Sequence, residues 1–266
     1  MNAPAVAPSA LAPAPASEAV LAARDLSFAH PGIGTVFEGV SLRIRRREIV
    51  ALLGSSGCGK STLLRVLAGL APPAGGEVRF LDAPLAEPHP RSALVFQQPS
   101  LLPWLKLADN VGFGLDFAHQ PRSDGAARQA RVAAAIEAVG LAGREAAYPA
   151  QLSGGMAQRA ALARALAREP ELLFADEPFS ALDAITRAEM QALLVDVVHR
   201  WHSAVLLVTH DIDEALLVAD RILLMGGSPG RVLREWTVDL PHPRDEHPEA
   251  LTALRLAILG ALRHCS

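Results

Sequence analysis

A glycine-rich loop lies between an apolar segment and a helical pattern, and it limits the folds that this chain can adopt more than any other part of the sequence. Residues 54–61 are Gly-Ser-Ser-Gly-Cys-Gly-Lys-Ser, and the apolar segment 48–53 before them is typical of a buried strand. After the loop, leucines recur at positions 63, 64, 67 and 70, which is the spacing of one helix face. A strand, a tight loop and a helix in this order predict the first unit of a parallel α/β sheet.

Such a loop is suited to bind phosphate groups. Its glycines let successive backbone N–H groups turn toward an anion, and the following helix adds the positive end of its dipole. Lys60 supplies a point charge, and the hydroxyl of Ser61 can ligate Mg²⁺. The predicted phosphate-binding residues are Gly54, Ser55, Ser56, Gly57, Cys58, Gly59, Lys60, Ser61 and Thr62. We interpret Cys58 as a small residue that fills a variable loop position, not as a nucleophile.

Composition excludes several classes of protein. A formal net charge of -3 gives no general attraction to nucleic acid or to an anionic membrane surface. The two cysteines, Cys58 and Cys265, do not form a credible disulfide framework, which indicates a reducing, cytoplasmic setting. No apolar run approaches the roughly 18 residues that span a bilayer, so any membrane role is expected to come through a partner. Residues 1–19, mainly Ala and Pro, are predicted to form a disordered tail.

Strand and helix signals alternate along most of the chain. Strands are predicted over residues 20–28, 41–45, 48–53, 77–81, 92–96, 172–175, 204–209, 221–225 and 231–238. Helices are predicted over residues 60–70, 124–139, 159–168, 184–201, 212–218 and 248–262. Between about residues 98 and 155 the strand signal is weak, and we interpret this part as a helical insertion. The alternation favours an α/β fold with a mostly parallel sheet and crossover helices.

The apolar run 172–175 ends in two carboxylates, Asp176 and Glu177. An enzyme with a phosphate-binding loop of this kind needs a carboxylate at such a strand end to hold Mg²⁺, and Asp176 fits that role. Glu177 would then face the terminal phosphate, where it can orient or deprotonate an attacking water. An acidic pair alone is more often a solvated turn, so this interpretation depends on the loop at 54–61.

A second pair of glycines lies in residues 152–158, Leu-Ser-Gly-Gly-Met-Ala-Gln, before an Ala/Leu/Arg-rich helical stretch. Taken alone, Ser153 and its glycines would be a helix cap with an exposed N-terminus, which can attract an anion. In order with the phosphate loop, Gln97, the Ser-Ala-Leu-Asp run at 180–183 and His210, they resemble the signature motif of ABC transporter ATPases. The resemblance covers about residues 20–234.

The resemblance implies the ABC ATPase fold of the P-loop NTPase class: a mostly parallel sheet core, an N-terminal antiparallel β subdomain and an inserted α-helical subdomain. The implied organisation is an ATPase domain over residues 20–240, with the helical part at about 98–155, and a C-terminal helical extension over 241–266. ATP and Mg²⁺ are the implied ligands. The implied assembly is a head-to-tail dimer, in which a second copy of the chain completes each ATP site.

The resemblance also assigns roles to single residues. The implied catalytic residues are Lys60, Gln97, Glu177 and His210. The implied Mg²⁺ ligands are Ser61, Gln97 and Asp176. The residues implied to face ATP or the partner copy across the dimer are Ser153, Gly154, Gly155 and Asp183. The family usually stacks an aromatic side chain on adenine about thirty residues before the lysine. Here that place falls on His30, with Phe28 as the alternative.

Residues 97–105, 109–111 and 178–187 are similar to segments of the importers for nitrate, sulfonate and taurine, and so is the Ser-Pro-Gly-Arg run at 228–231. Ala157 departs from that group, which often carries Arg there. The implied function is to energise uptake of a small anionic or organic solute through a permease, served indirectly by a periplasmic solute-binding protein. No nucleic-acid partner is expected, and the expected place is the cytoplasmic face of the bacterial inner membrane. An exporter motor and a soluble, non-transport ABC ATPase remain alternatives.

An apolar cluster, Leu-Leu-Pro-Trp-Leu at 101–105, follows Gln97. Leu101 and Leu105 are equally compatible with the core of the helical region and with an interface. Trp104 is harder to bury in so small a region, and tryptophan is a common interface anchor. The resemblance puts this segment beside the cleft that receives a permease helix, so we expect Trp104 to be a docking residue.

Overall fold

Two β-sheets and the helices around them form the framework of the protein. The computed structural model describes residues 19–32, 34–117, 120 and 124–263. The strands are β1 (Ala19–His30), β2 (Gly34–Arg45), β3 (Ile49–Gly54), β4 (Gly75–Phe80), β5 (Ala83–Pro84), β6 (Ser92–Val95), β7 (Leu172–Asp176), β8 (Ala204–Thr209), β9 (Arg221–Gly226) and β10 (Arg231–Thr237). The α-helices are α1 (Lys60–Leu67), α2 (Leu107–Val111), α3 (Gly125–Ala138), α4 (Gly154–Leu166), α5 (Ala184–Trp201), α6 (Ile212–Val218) and α7 (Pro248–Arg263).

The central sheet has the strand order β10-β9-β3-β8-β7-β6. Its strands are parallel except for β10, which pairs antiparallel with β9. Every residue of β3 is buried, and its side chains enter two different cores, Ile49 and Leu53 in one and Val50 and Leu52 in the other. A strand covered on both faces has to be apolar throughout, which explains the continuous apolar run before the glycine loop.

The second sheet has the order β2-β1-β4-β5, and its pairs are antiparallel. Its strand β2 begins at Gly34, so the predicted start at residue 41 is wrong. The register between β1 and β2 shifts at several points, and Gly39 has a φ of 63° in the middle of β2. These irregularities break the period-two alternation that a strand prediction depends on.

Two helix boundaries also differ from the prediction. Helix α1 ends at Leu67 and not at residue 70, because Gly69 adopts a left-handed φ of 74° that stops the helix. Helix α4 begins at Gly154 and not at residue 159. Its N-cap is Ser153, whose hydroxyl accepts a hydrogen bond from the backbone N–H of Met156 at 3.3 Å.

Three helices, α2, α3 and α4, contact one another; α2 and α3 lie within the predicted helical insertion, and α4 begins at its C-terminal boundary. The short helix α2 was not predicted, and its buried Asn110 holds the preceding segment by hydrogen bonds. The Asn110 side chain accepts from the N–H of Leu102 at 2.7 Å and donates to the carbonyls of Leu102 at 3.1 Å and Leu105 at 2.9 Å. Leu101 packs against the core, whereas the Trp104 side chain is left 68% exposed.

Helix α7 packs against α6. The buried guanidinium of Arg244 strengthens this junction by donating to the carbonyls of Leu216 at 3.0 Å and Val238 at 3.3 Å. Among the described residues, none of the helices has both the length and the apolar character needed to cross a bilayer. The predicted disordered tail lies outside the described residues except for Ala19, which begins β1, and Cys265 lies outside them as well.

Candidate functional site

Four parallel strands of the central sheet end at one edge, and each is followed there by predicted site residues. The register pairs Leu53 of β3 with Thr209 of β8, Val208 of β8 with Asp176 of β7, and Ala175 of β7 with Val95 of β6. Because these strands are parallel, the residues that follow them lie along the same edge. That edge therefore gathers the glycine loop after β3, the acidic pair at the end of β7, His210 after β8 and Gln97 after β6.

The glycine loop is closed around its own lysine. Gly57 and Gly59 have φ values of 85° and 98°, a region that side chains with a Cβ rarely adopt. The ammonium of Lys60 is buried and donates to the carbonyls of Gly54 and Ser55, each at 2.8 Å. These two bonds fix the ammonium group at the start of α1.

Ser61 and Asp176 meet at the base of the loop. The hydroxyl of Ser61 donates to Oδ1 of Asp176 at 3.0 Å. Burial raises the pKa of the Asp176 carboxyl, while the Ser61 hydrogen bond opposes this effect and the neighbouring Glu177 adds to it. A hydroxyl and a carboxylate are hard oxygen donors of the kind that Mg²⁺ prefers. Among the described residues no group of three or more His, Cys, Asp or Glu side chains could hold a metal by itself. The Ser61–Asp176 pair offers two such donors, and Mg²⁺ takes few protein ligands beside substrate phosphates and waters.

The second carboxylate of the pair faces a histidine from the next strand. Nδ1 of His210 lies 3.3 Å from Oε2 of Glu177. Glu177 has a φ of 46°, and its backbone N–H donates to the carbonyl of Val208 at 2.9 Å. The turn that begins at Glu177 is closed by Ser180, whose hydroxyl donates to the Glu177 carbonyl at 2.9 Å. This turn thus directs the carboxylate toward His210 and away from Asp176, its neighbour in sequence.

Gln97 is exposed just beyond β6, and helix α4 supports the segment around it. The buried side chain of Gln158 donates from Nε2 to the carbonyl of Phe96 at 3.2 Å. Arg164 donates to the carbonyls of Pro99 at 2.9 Å and Ser100 at 2.8 Å. The helix that begins at the Ser153 cap therefore also holds the backbone on both sides of Gln97.

Ser153, Gly154 and Gly155 are not part of the cluster at the sheet edge. They begin α4, whose main contacts are with α2, α3, β6 and α5. Gly155 lies against the methyl group of Thr186 in the first turn of α5, so closely that a Cβ at position 155 would have no room. Asp183 caps the same turn of α5 by accepting from the N–H of Thr186 at 3.1 Å, and this hydrogen bond lowers the pKa of its exposed carboxyl. The two N-termini thus lie side by side.

The two candidates for stacking on adenine differ in exposure. The His30 ring is exposed at the end of β1, and its centroid lies 5.1 Å from that of Phe28 in an edge-on arrangement. Phe28 is half-buried and stacks on Phe37 with centroids 6.0 Å apart. Phe28 is thus engaged in the antiparallel sheet, whereas one face of the histidine remains available.

One element that supports the phosphate loop was not identified from the sequence. Gly230, between β9 and β10, lies directly against the carbonyl of Cys58, where an added Cβ would have no room. The N–H of Gly230 donates to the carbonyl of Val36 at 2.8 Å. The thiol of Cys58 is buried and contacts the carbonyl of Met225 at 3.5 Å. The Ser-Pro-Gly-Arg run marks resemblance in the sequence, but only the fold brings its glycine to the loop.

Comparison with known proteins agrees with this geometry. Residues 37–180 match the ABC transporter family. The chain is 50% identical over 232 residues to an aliphatic sulfonates import ATP-binding protein of Burkholderia lata, covering 87% of this chain and 82% of that protein. Among solved structures, a dimeric ATP-binding cassette in a post-hydrolysis state with ADP and Pi is 31% identical with a TM-score of 0.71, covering 83% of this chain and 100% of that one. CbiO1 of Clostridium perfringens, part of the ABC transporter complex cbiONQ, is 26% identical with a TM-score of 0.77, covering 93% and 99%.

The match of the family spans more than half of the 266 residues, and the relative in Burkholderia lata is similar along almost the whole length of both chains. The predicted fold class is confirmed by the solved cassettes. In the structure the phosphate loop follows β3, the acidic pair lies at the end of β7, and Ser153 caps α4. This chain belongs to the ABC transporter family, as an ATP-binding and ATP-hydrolysing subunit.

Proposed function

We propose that this chain energises the import of a small organic sulfonate or a similar solute across the bacterial inner membrane. The observation that carries the proposal is the 50% identity to an aliphatic sulfonates import ATP-binding protein over 87% of the chain. In this proposal the subunit works at the cytoplasmic face as one of two copies bound to a permease. A periplasmic solute-binding protein delivers the solute from the other side. We retain the proposed division into an ATPase domain over 20–240 and a helical extension over 241–266.

The proposed role of the loop at 54–62 is to bind the terminal phosphates of ATP. The left-handed backbone at Gly57 and Gly59 supports a loop whose N–H groups line its inner surface. Lys60 is already held in place by two loop carbonyls, so its charge is positioned before a nucleotide arrives. Ser61 and Asp176 are the proposed Mg²⁺ ligands, with Gln97 as a third. When bound, Mg²⁺ would neutralise negative charge that develops on the phosphates.

Glu177 and His210 are the proposed catalytic pair. A carboxylate next to an imidazole can accept a proton from water while the imidazole keeps the carboxylate in one orientation. The 3.3 Å separation between His210 Nδ1 and Glu177 Oε2 supports this pairing. Asp176 is turned toward Ser61, so the two adjacent carboxylates are available for different tasks.

A second copy of the chain is proposed to complete each site. Ser153, Gly154 and Gly155 start a helix of 13 residues whose N-terminus suits an anion, and they lie on α4 rather than beside the phosphate loop of their own chain. A head-to-tail arrangement would bring them to the ATP bound by the partner. Asp183 lies beside them at the start of α5 and is proposed to contact the partner as well. The dimeric solved cassette supports this arrangement.

His30 is the proposed support for the adenine ring, because its exposed face is free while Phe28 is stacked on Phe37. Trp104 is the proposed docking residue for the permease. Its side chain is 68% exposed and is presented by a segment that the buried Asn110 holds in place. An exposed indole on a rigid support is typical of an interface anchor.

The proposal is tested by reconstituting the subunit with its permease and solute-binding protein in lipid vesicles. Ethanesulfonate, taurine and nitrate are supplied one at a time with MgATP, and ATP hydrolysis and solute accumulation are measured. We expect hydrolysis and uptake to rise together with at least one sulfonate and to remain at the basal level without the binding protein. Equal rates with and without each solute would contradict the importer assignment, while basal hydrolysis would remain as evidence of the ATPase.

A further inference from the structure

An ionic network connects the Asp183 turn with the His210 turn inside one subunit. Its centre is Arg187, in the second turn of α5. The guanidinium folds back over the start of its own helix and donates from Nη2 to the carbonyl of Leu182 at 3.1 Å. Leu182 directly precedes Asp183, so the guanidinium is hydrogen-bonded to the backbone of the turn that is proposed to contact the partner copy.

The same guanidinium faces two carboxylates of the next turn. Its Nη1 lies 3.8 Å from Oδ2 of Asp211, and its Nε lies 4.0 Å from Oε1 of Glu214. These are ion-pair separations that are too long for direct hydrogen bonds. In the described part of the chain, Nε of Arg187 is a buried donor without a hydrogen-bond partner. The arginine is therefore bonded to one turn and only loosely paired with the other.

Glu214 connects Arg187 to the turn that contains His210. Its carboxylate is buried in the first turn of α6 and accepts from the hydroxyl of Thr209 at 2.6 Å. The Thr209 oxygen in turn accepts from the N–H of Asp211 at 3.0 Å. These bonds enclose His210, the residue between them, whose ring lies against Glu177. A displacement of the Glu214 carboxylate would thus move Thr209 and Asp211, the two neighbours of His210 in the chain.

We propose that Arg187 is a positioning residue that links contact at Asp183 to the orientation of His210 and Glu177. This inference rests on the proposed function of these three residues. When the partner copy presses on the Asp183 turn, the Leu182 carbonyl and the guanidinium move together. The unsatisfied Nε then closes on Glu214, which fixes the His210 turn for proton transfer to Glu177. The arginine itself does not contact ATP and acts only through the two carboxylates.

The distances in this network are those of a link that can tighten, not of one that holds the two turns at a fixed separation. A buried guanidinium that is fully hydrogen-bonded on both sides would hold the two turns at one distance. Here one side is bonded and the other is separated by 3.8 to 4.0 Å. A shift of about 1 Å would convert the loose pair into charge-assisted hydrogen bonds, which have donor–acceptor distances of about 2.7–2.9 Å.

The test is steady-state ATPase kinetics of Arg187→Met and Arg187→Lys in the full chain, at saturating Mg²⁺. Methionine keeps an unbranched apolar stem but removes the charge and the fork of donors. We expect kcat to fall by about 3- to 30-fold, the range of a coupling change, while KM for ATP and the melting temperature stay near those of the parent. Lysine keeps the charge but not the fork, so Arg187→Lys should recover only part of the rate.

Arg200→Met is the matched control, because Arg200 lies at the other end of α5 and pairs with Asp196 on the surface. It should leave kcat and KM unchanged. Glu214→Gln completes a double-mutant cycle. If Arg187 acts through Glu214, adding Arg187→Met to Glu214→Gln should lower kcat by less than twofold further.

Three results would overturn the proposal. One is an unchanged kcat in Arg187→Met, and another is a loss of melting temperature or ATP affinity that accounts for the lower rate. The third is full additivity of the two substitutions in the double mutant. Failure of the proposed catalytic pair is distinguishable from all three, because Glu177→Gln would then hydrolyse ATP at the rate of the parent.

Discussion

Oε2 of Glu177 lies 3.3 Å from Nδ1 of His210, and the two residues belong to neighbouring strand ends. Asp176, one residue earlier, instead accepts a hydrogen bond from Ser61. The left-handed φ of 46° at Glu177 separates the two carboxylates, because it turns the chain immediately after β7. A candidate metal ligand and a candidate base are thus obtained from adjacent residues at the end of one strand.

Replacement of Glu177 by Gln should abolish most of the hydrolysis but preserve MgATP binding. The amide has nearly the same shape as the carboxylate but cannot accept a proton, and general bases contribute about 10²–10⁴-fold to rate. The variant should accumulate as an ATP-bound dimer in size-exclusion chromatography. Glu169→Gln, at the opposite edge of the sheet, is the control and should behave like the parent. A monomer at saturating MgATP would contradict the proposed dimer.

Replacement of Lys60 by Ala should remove most nucleotide binding and all hydrolysis. The substitution deletes the cation that faces the phosphates and the two bonds that close the loop on Gly54 and Ser55. Binding is measured with a fluorescent ATP analogue and hydrolysis by phosphate release. Turnover at the rate of the parent would refute the assignment of the loop.

A mixed dimer tests the head-to-tail arrangement. Ser153→Arg places bulk and charge at the N-terminus of α4, and Lys60→Ala disables the phosphate loop of the other copy. Such a dimer retains one site, which combines the intact loop of the first subunit with the intact α4 terminus of the second. We expect one trapped nucleotide per mixed dimer. Two nucleotides or none would be incompatible with the arrangement.

Gly230→Ala should weaken nucleotide binding by displacing the phosphate loop, although Gly230 is not a proposed ATP ligand. The methyl group would collide with the carbonyl of Cys58, so the phosphate loop or the β9–β10 turn has to move. Overpacking of this kind typically costs about 1–3 kcal/mol of stability. Gly125→Ala is the matched control, since Gly125 has open space around it. Thermal unfolding with and without ATP should reveal a loss for Gly230→Ala that the control lacks, and identical curves would contradict the contact.

Trp104→Ala should uncouple the subunit from its permease. Truncation of an interface anchor costs about 2 kcal/mol or more of binding energy, while an exposed side chain contributes little to the fold. Basal ATPase activity of the isolated subunit should stay near that of the parent, and transport by the reconstituted complex should fall. Leu256→Ala, which removes a similarly exposed side chain from α7, should change neither. Equal loss of both activities, or unfolding, would identify Trp104 as a structural residue.

Glu214→Gln should not lower stability at neutral pH. Burial raises the pKa of the Glu214 carboxyl above its usual 4.5, against the Thr209 hydrogen bond and Arg187, while Asp211 adds to the rise. Between 4.5 and the higher native pKa, the folded state binds more protons than the unfolded state, so the parent loses stability as pH rises. The amide has no such charge, and it can still accept from Thr209. Denaturant unfolding should therefore give a variant at least as stable as the parent at pH 7, with the difference shrinking in acid. A clear loss at pH 7 would contradict this.

The sequence predicts the local parts of this structure well. The apolar runs at β3 and β7 are buried on both faces, so their pattern is continuous, and the groups that follow them are chemically distinctive. The start of β2 is missed because register shifts and a left-handed glycine obscure its alternation. Helix α2 is missed because it has only five residues and depends on the buried Asn110, whose hydrogen bonds form only in the folded chain.

The sequence did not predict contacts between residues that lie far apart in the chain. Cys58 and Gly230 lie far apart in the chain. Nothing about a cysteine or a glycine indicates that the carbonyl of Cys58 will contact Gly230 in the folded protein. Arg187 belongs to a run that resembles importers, but its pairing with Asp211 and Glu214 depends on the packing of α5 against α6. The placement of residues at the end of one strand could therefore be predicted from the sequence, and contacts that depend on packing between helices could not.

The close approach of Gly155 to Thr186 has a consequence for the timing of the cycle. Because the Thr186 methyl group fills the space beside Gly155, the start of α4 and the turn capped by Asp183 form one continuous surface. In the proposed dimer the two would meet the partner's nucleotide together and leave it together. Release of the partner's spent nucleotide and loss of the Asp183 contact would then be one event, and neither copy could reset its neighbour halfway.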